Sequence, residues 1–143
     1  MGGDRKMKNI KACLMSTHNN WSTPRELYED LDKEFNFDFD PCPLHSDFDG
    51  LLISWGGANF VNPPYSTKLQ DAFIKKGLEE SRLGKVVVFL LPVRTGSKRW
   101  QDIILPFANE IRLIRGRLKF GGSSNSAPFD SAIIIFKGGK KKK

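Results

Sequence analysis

KVVVFLLPV, residues 85–93, is a run of β-branched and aliphatic side chains with no polar alternation after Lys85. Such a run offers no face to water, so it is expected as a strand buried on both sides in a sheet sandwiched by helices. The flanking sequence supplies those helices. From Thr67 to Arg82 the pairs Leu69/Phe73 and Ile74/Leu78 have helical spacing, and Gly84 is a C-terminal stop. Downstream, Trp100, Ile103, Ile104 and Phe107 fall at i, i+3, i+4 and i+7, which predicts a helix over Lys98 to Phe107. IRLIRG (111–116) and SAIIIFK (131–137) then read as two strands. No helix separates them, so they are expected as an antiparallel pair at one edge, joined through the Gly/Ser/Asn-rich segment 121–128.

Upstream, Ala58 to Val61 is a short apolar strand. In FNFDFD (35–40) Phe35, Phe37 and Phe39 alternate with polar residues, a strand pattern that ends at Pro41 and leaves Asp40 at its C-terminal end. Thr23-Pro24-Arg25-Glu26 is a helix start with the spacing of a capping box, and Leu27, Leu31 and Phe35 follow on one helical face. Residues 42–57 read as loop, with one short element around Leu51 to Trp55. The order predicts an α/β fold in which helices cross over a mostly parallel sheet.

The 143 residues suit one domain. Residues 1–20 are expected as a flexible basic segment, 21–137 as the folded domain and 138–143 as a disordered lysine tail. Lys137 and Lys140 to Lys143 contribute five charges to the formal net charge of +7, so the body is only mildly basic. No apolar run approaches the roughly 18 residues of a membrane span, and the first residues lack the apolar stretch of a signal peptide, which points to a cytoplasmic protein. Cys13 and Cys42 make neither a disulfide framework nor a metal cluster, as suits a reducing compartment, and no metal is implied.

Asn62-Pro63-Pro64-Tyr65 follows directly on the strand Ala58 to Val61. Ligands of open α/β sheets bind beyond the carboxyl ends of strands. There a carboxamide oxygen and a main-chain carbonyl can both accept from one planar NH2 group and draw its lone pair out of conjugation. A weakly nucleophilic amine needs that help to attack an electrophilic methyl group, and Tyr65 offers a π-face for a flat base. The plain alternative is a strand terminated by prolines, with a packed tyrosine.

This tetrapeptide resembles the catalytic motif of amino-methyltransferases that use S-adenosylmethionine. The wider pattern, WSTPRELYEDLDKEFNFDFDPCP, DGLLISW, VNPPYS, VVVFLLPVRT, IRLIRGRLKFGG and SAPFDSAIIIF, is similar to the phage-type DNA N6-adenine methyltransferases over about residues 21–136. The resemblance implies a compact Rossmann-like methyltransferase fold, S-adenosyl-L-methionine as cofactor, double-stranded DNA as partner, and an adenine swung out of the duplex as the methyl acceptor. Asn62, Pro63, Pro64 and Tyr65 would form the adenine site. Thr23 and Pro24 would meet the methionine end of the cofactor, where free helix amides suit a carboxylate. Asp40, Pro41 and Cys42 would stand in the first cofactor loop, with Asp49 near the adenosine end. Arg94, Lys98 and Arg99 would meet DNA phosphates, with Arg117 and Lys119, beside Arg115, as a second strip.

The sequence departs from the wider class in carrying DPCPLH where a Gly-x-Gly loop is common. It also has Gly96-Ser97 where related chains show Asp-Thr. A noncatalytic DNA-binding module on the same fold, or an amino-methyltransferase acting on RNA or a protein amide, stays open, as does a homo-oligomer.

Overall fold

The apolar run at 86–92 fixes the centre of the sheet. The computed structural model describes residues 22–43, 47–120 and 126–138. The expected flexible segment, most of the lysine tail and part of the Gly/Ser-rich connection lie outside the described residues. The elements are α1 (Arg25–Phe35), β1 (Ala58–Val61), α2 (Thr67–Arg82), β2 (Val86–Pro92), a helical segment α3 over 98–107, β3 (Glu110–Leu113) and β4 (Ser131–Lys137). Strand order is β1-β2-β4-β3.

β1 and β2 run parallel, with Val61 opposite Phe89, while β4 is antiparallel to both its neighbours, with Ile134 opposite Phe89 and Ile111. The sheet is therefore mixed, not mostly parallel. The expected antiparallel pair is present at one edge of the sheet, with β3 outermost and β4 between β2 and β3. The reason is visible in SAIIIF, whose residues 131–136 are all buried. A strand apolar on both faces needs a neighbour on each side and a layer above and below.

Val87, Phe89 and Leu91 pack with Ala132, Ile134 and Phe136 against Phe73, Ile74 and Leu78 of α2 and against Trp100 and Ile104 of α3. On the opposite face Val88, Leu90, Ile133 and Ile135 meet Leu31 of α1, Phe60, Phe120 and Ala127. Each such side chain contributes roughly 1.5–3 kcal/mol by leaving water. Helix α2 lies close to the sheet because Gly77 has no side chain. A Cβ there would stand 2.4 Å from the Phe89 ring.

Three local expectations change. The segment FNFDFD forms no full strand; helix α1 takes Phe35, and Asn36 turns left-handed at φ 54° to cap it. Only Phe39 pairs, in parallel, with Asn59 of β1. The expected helix over Lys98 to Phe107 forms, but its middle, Trp100–Ile104, is a π-turn. Residues 51–55 form a turn and bend without strand or helix.

Candidate active site

Val61 is the last residue of β1, and neither Pro63 nor Pro64 has an N–H with which to continue the ladder. The backbone leaves the sheet at Asn62, which is 6% exposed. Its Nδ2 donates to Thr23 Oγ1 at 3.1 Å. That bond orients the carboxamide, turning its nitrogen toward Thr23 and its oxygen to the opposite side. It also corrects the capping-box expectation. The N-cap of α1 is Pro24, with no side-chain cap bond, so the Thr23 hydroxyl serves Asn62 instead of the helix.

Tyr65 stands edge-on to Phe120 and Phe129, with ring centroids 6.1 and 5.2 Å away. Burial pushes its phenol far above the ordinary tyrosine range. The group therefore stays protonated at neutral pH, and its chemistry is that of a placed ring. A cavity of about 290 Å³ opens beside it, reached by Pro92 and Arg94 from the end of β2, Thr67 and Gln70 from the start of α2, and Ser97 and Arg99. This is the carboxyl end of the parallel pair, where the topology leads ligands to be sought.

The basic residues divide. Arg94 and Lys98 are exposed, as are Arg115, Arg117 and Lys119, with Arg117 3.8 Å from Asp130. Arg117 and Lys119 alternate with Leu118 and Phe120, and Phe120 is buried against Tyr65, so the strip lies on the outer side of the aromatic box. Arg99 differs from the phosphate-facing residue expected. Its Nε donates to Asp71 at 2.7 Å, its Nη1 to Gln70 Oε1 and its Nη2 to the Thr67 carbonyl at 3.3 Å. Gly96 and Ser97 form the turn after β2, where Ser97 Oγ donates to the Arg94 carbonyl at 2.7 Å.

Of the residues expected at the cofactor, Asp40, Pro41, Cys42 and Asp49 form one neighbourhood. Asp40 Oδ1 accepts from Cys42 N–H at 2.9 Å, and Asp49 Oδ1 accepts from Leu51 N–H at 2.9 Å, so each makes a tight turn. The two turns abut through Gly50, where a Cβ would lie 1.9 Å from the carbonyl oxygen of buried Pro41. Burial pushes the Asp40 carboxyl up to about 6, against the opposing effect of the Cys42 N–H. Burial also raises Asp49, against the Leu51 N–H. Cys42 is buried, and its sulfur is in a disulfide, contrary to the expectation of reduced thiols, so only its main chain can serve a ligand. Among the described residues no group of His, Cys, Asp and Glu could hold a metal ion, and no helix is long and apolar enough to cross a membrane.

Two residues escaped the sequence reading. Tyr28 packs edge-on against Phe60 at 5.2 Å, and burial raises its pKa, with the Asp32 and Asp40 carboxylates adding to the effect. It thus joins α1 to the Asp40 turn. Gln70 is 2% exposed and reaches the tetrapeptide. A polar side chain on the apolar face that continues to Phe73 and Ile74 is the signal by which it could have been found.

The chain is similar to known proteins. A protein of Haemophilus phage HP1 named DNA N-6-adenine-methyltransferase is 32% identical over 105 residues, covering 64% of this chain and 59% of the relative. The chain thus spans somewhat over half the length of that relative. The family model described as DNA N-6-adenine-methyltransferase (Dam) matches residues 11–138, a span that includes every element and every site residue above. The chain belongs to the DNA N-6-adenine-methyltransferase (Dam) family.

Proposed function

We propose that this chain is a Rossmann-like methyltransferase that moves a methyl group from S-adenosyl-L-methionine to N6 of an adenine swung out of double-stranded DNA. The observation that carries the reading is the Thr23–Asn62 hydrogen bond. It ties the start of α1, the segment suited to the cofactor's methionine end, to the side chain suited to the target amine. Methyl donor and acceptor must lie side by side, and this bond couples their two supports.

The residues present fit the cofactor. Helix α1 has no side-chain cap, so its first-turn amides are suited to a carboxylate. Asp40 is a half-buried carboxylate with a raised pKa, and it would gain from a positively charged or hydroxyl-bearing ligand. When bound, S-adenosylmethionine supplies the electrophilic methyl group. The chain's own part is alignment and polarisation. Asn62 Oδ1 and the Pro63 carbonyl accept the two N–H groups of the adenine amine, so its lone pair is directed outward for attack and the positive charge growing on nitrogen is stabilised. Tyr65 holds the base plane, and the rigid Pro63-Pro64 pair prevents the acceptors from drifting. Arg94 at the cavity and the exposed Lys98, with Arg117 and Lys119 outside the aromatic box, meet the phosphates. A DNA substrate is in keeping with a cytoplasmic protein.

The test is nucleoside mass spectrometry on unmethylated DNA incubated with the protein and methyl-labelled S-adenosylmethionine, with Asn62→Ala in parallel. Labelled 6-methyladenine from the wild type alone is expected. Label in RNA or in protein amides instead, or cofactor-independent DNA binding without any label, would replace this reading with another substrate or with a noncatalytic module. Near-normal methylation by folded Asn62→Ala would overturn the role of Asn62.

A further inference from the structure

We infer that Gln70, held by Arg99, is a positioning residue for the tetrapeptide, and this rests on the reading just given. Gln70 Nε2 donates to the Pro64 carbonyl at 3.4 Å, and its Oε1 accepts from Arg99 Nη1. Arg99 is held in turn by Asp71 and by the Thr67 carbonyl, and its side chain is 9% exposed. A buried glutamine at the start of a helix would ordinarily be replaced by an apolar residue, since an amide in the core is costly unless both ends are bonded. Here both ends are bonded, and one of the partners is the catalytic loop.

The choice of carbonyl matters. The Pro64 C=O belongs to the same rigid peptide plane as the Tyr65 N–H. Pinning that oxygen fixes the rotation of the Pro64–Tyr65 unit, and with it the direction from which the Tyr65 ring leaves the chain. It also fixes the C-terminal end of Pro64, so the Pro63 carbonyl keeps its aim. Proline rigidity alone cannot do this, because it restricts φ but leaves ψ of Pro64 to be set by bonding. Arg99 is the residue just before the π-turn of α3. The brace thus couples α3 and the first turn of α2 to the base site, and Arg99 acts inside the fold while Arg94 and Lys98 remain for DNA.

The variant Gln70→Glu separates the two ends of the brace. A carboxylate still accepts from Arg99, but it cannot donate to the Pro64 carbonyl. The expected results are a fall in kcat of about 10- to 100-fold, as small misplacement of reacting groups commonly produces, and a KM for S-adenosylmethionine within about threefold of wild type. In the same protein, without any turnover, the Tyr65 amide should exchange with solvent at least about tenfold faster by NMR. Fluorescence of 2-aminopurine at the target position, which reports a swung-out base, should be less perturbed on binding. Arg99→Lys, which keeps a charge for Asp71 but loses the fork, should give an intermediate effect on all these readouts. An unchanged Tyr65 exchange rate, or a folded Gln70→Glu with wild-type kcat, overturns the inference. A wild-type protein that methylates nothing would instead overturn the function proposed above, while the exchange measurement would still decide the brace.

Discussion

Replacing Asp40 by Asn should make the protein more stable at neutral pH and, on the function proposed above, worse at holding S-adenosylmethionine. Burial raises this carboxyl from the ordinary 3.8 to about 6, partly offset by the Cys42 N–H. A shift of about two units corresponds to about 3 kcal/mol of folding free energy. The sign follows from proton uptake. Above pH 6 the group is ionised in both folded and unfolded chains, and the folded state carries the full cost of desolvation. As pH falls through 6 the folded state takes up a proton that the unfolded chain does not yet hold, so stability rises, with about half the cost relieved near pH 5 and nearly all of it below 4. Asn is neutral throughout, and its oxygen can still accept from Cys42. Urea unfolding of wild type and Asp40→Asn at pH 7.5, 6 and 5 should show the variant more stable by about 1–3 kcal/mol at pH 7.5, the difference shrinking with acidification. Comparing the two proteins cancels the other carboxylates, among them Glu80. Burial alone would raise Glu80, but Lys85, the Trp55 N–H and Lys76 outweigh it and hold the group low, so its contribution is lost on acidification. Cofactor affinity, read by calorimetry, should fall at least about tenfold in the variant and, in the wild type, weaken as pH drops below 6. A variant destabilised at pH 7.5, or a difference that does not change with pH, would refute the reasoning.

Thr23→Val removes the acceptor of the Asn62 Nδ2 bond and should cost about 1 kcal/mol of stability and at least about tenfold in kcat, while Thr23→Ser restores both, as urea unfolding and labelled-methyl transfer will report. Gly50→Ala drives a Cβ into the Pro41 carbonyl, which is backbone and cannot rotate away. It should lower the denaturant midpoint by the equivalent of at least about 2 kcal/mol and weaken cofactor binding more than DNA binding. Arg117→Ala and Lys119→Ala should each weaken DNA binding regardless of sequence and reduce the slope of log K against log salt by about one, measured by fluorescence anisotropy.

The centre of the fold was legible because β2 is one unbroken apolar run and α2 and α3 each carry a helical spacing of apolar residues, and packing agrees with both. The terminus of α1 was not. T-P-R-E has the spacing of a capping box, but spacing cannot say that the hydroxyl has a better partner 39 residues away. In FNFDFD the alternation places Phe37 and Phe39 on one face of a strand, whereas they pack on opposite faces of the sheet. Pairing failed because local side-chain bonds compete with the ladder: Asp32 accepts from Phe37 N–H at 2.9 Å, and Asp38 accepts from Ala58 N–H at 3.0 Å. Arg99 illustrates the limit for surface charge. Nothing in TGSKRW distinguishes Lys98, which is exposed, from its neighbour, whose guanidinium is used within the fold.

The geometry of the site follows from strand direction. Phe39 pairs in parallel with β1, and β1 pairs in parallel with β2, so the chain leaves all three at the same edge. Asp40, Asn62 and Arg94 therefore stand in that order along the edge, with neighbouring strands roughly 4.8 Å apart. On the function proposed above, a cofactor at Asp40, an amine at Asn62 and a phosphate at Arg94 would be set out in an order that suits methyl transfer to DNA. The antiparallel β4 completes the arrangement. Because it runs the opposite way, it begins at this edge, with Ser131 opposite Pro92, and the residues just before it arrive over the site. Phe129 is one of them, and it meets the Tyr65 ring at 5.2 Å. A parallel strand in the same position would have delivered its incoming connection to the far edge. The reversal of β4 is thus what closes the aromatic box on the tetrapeptide.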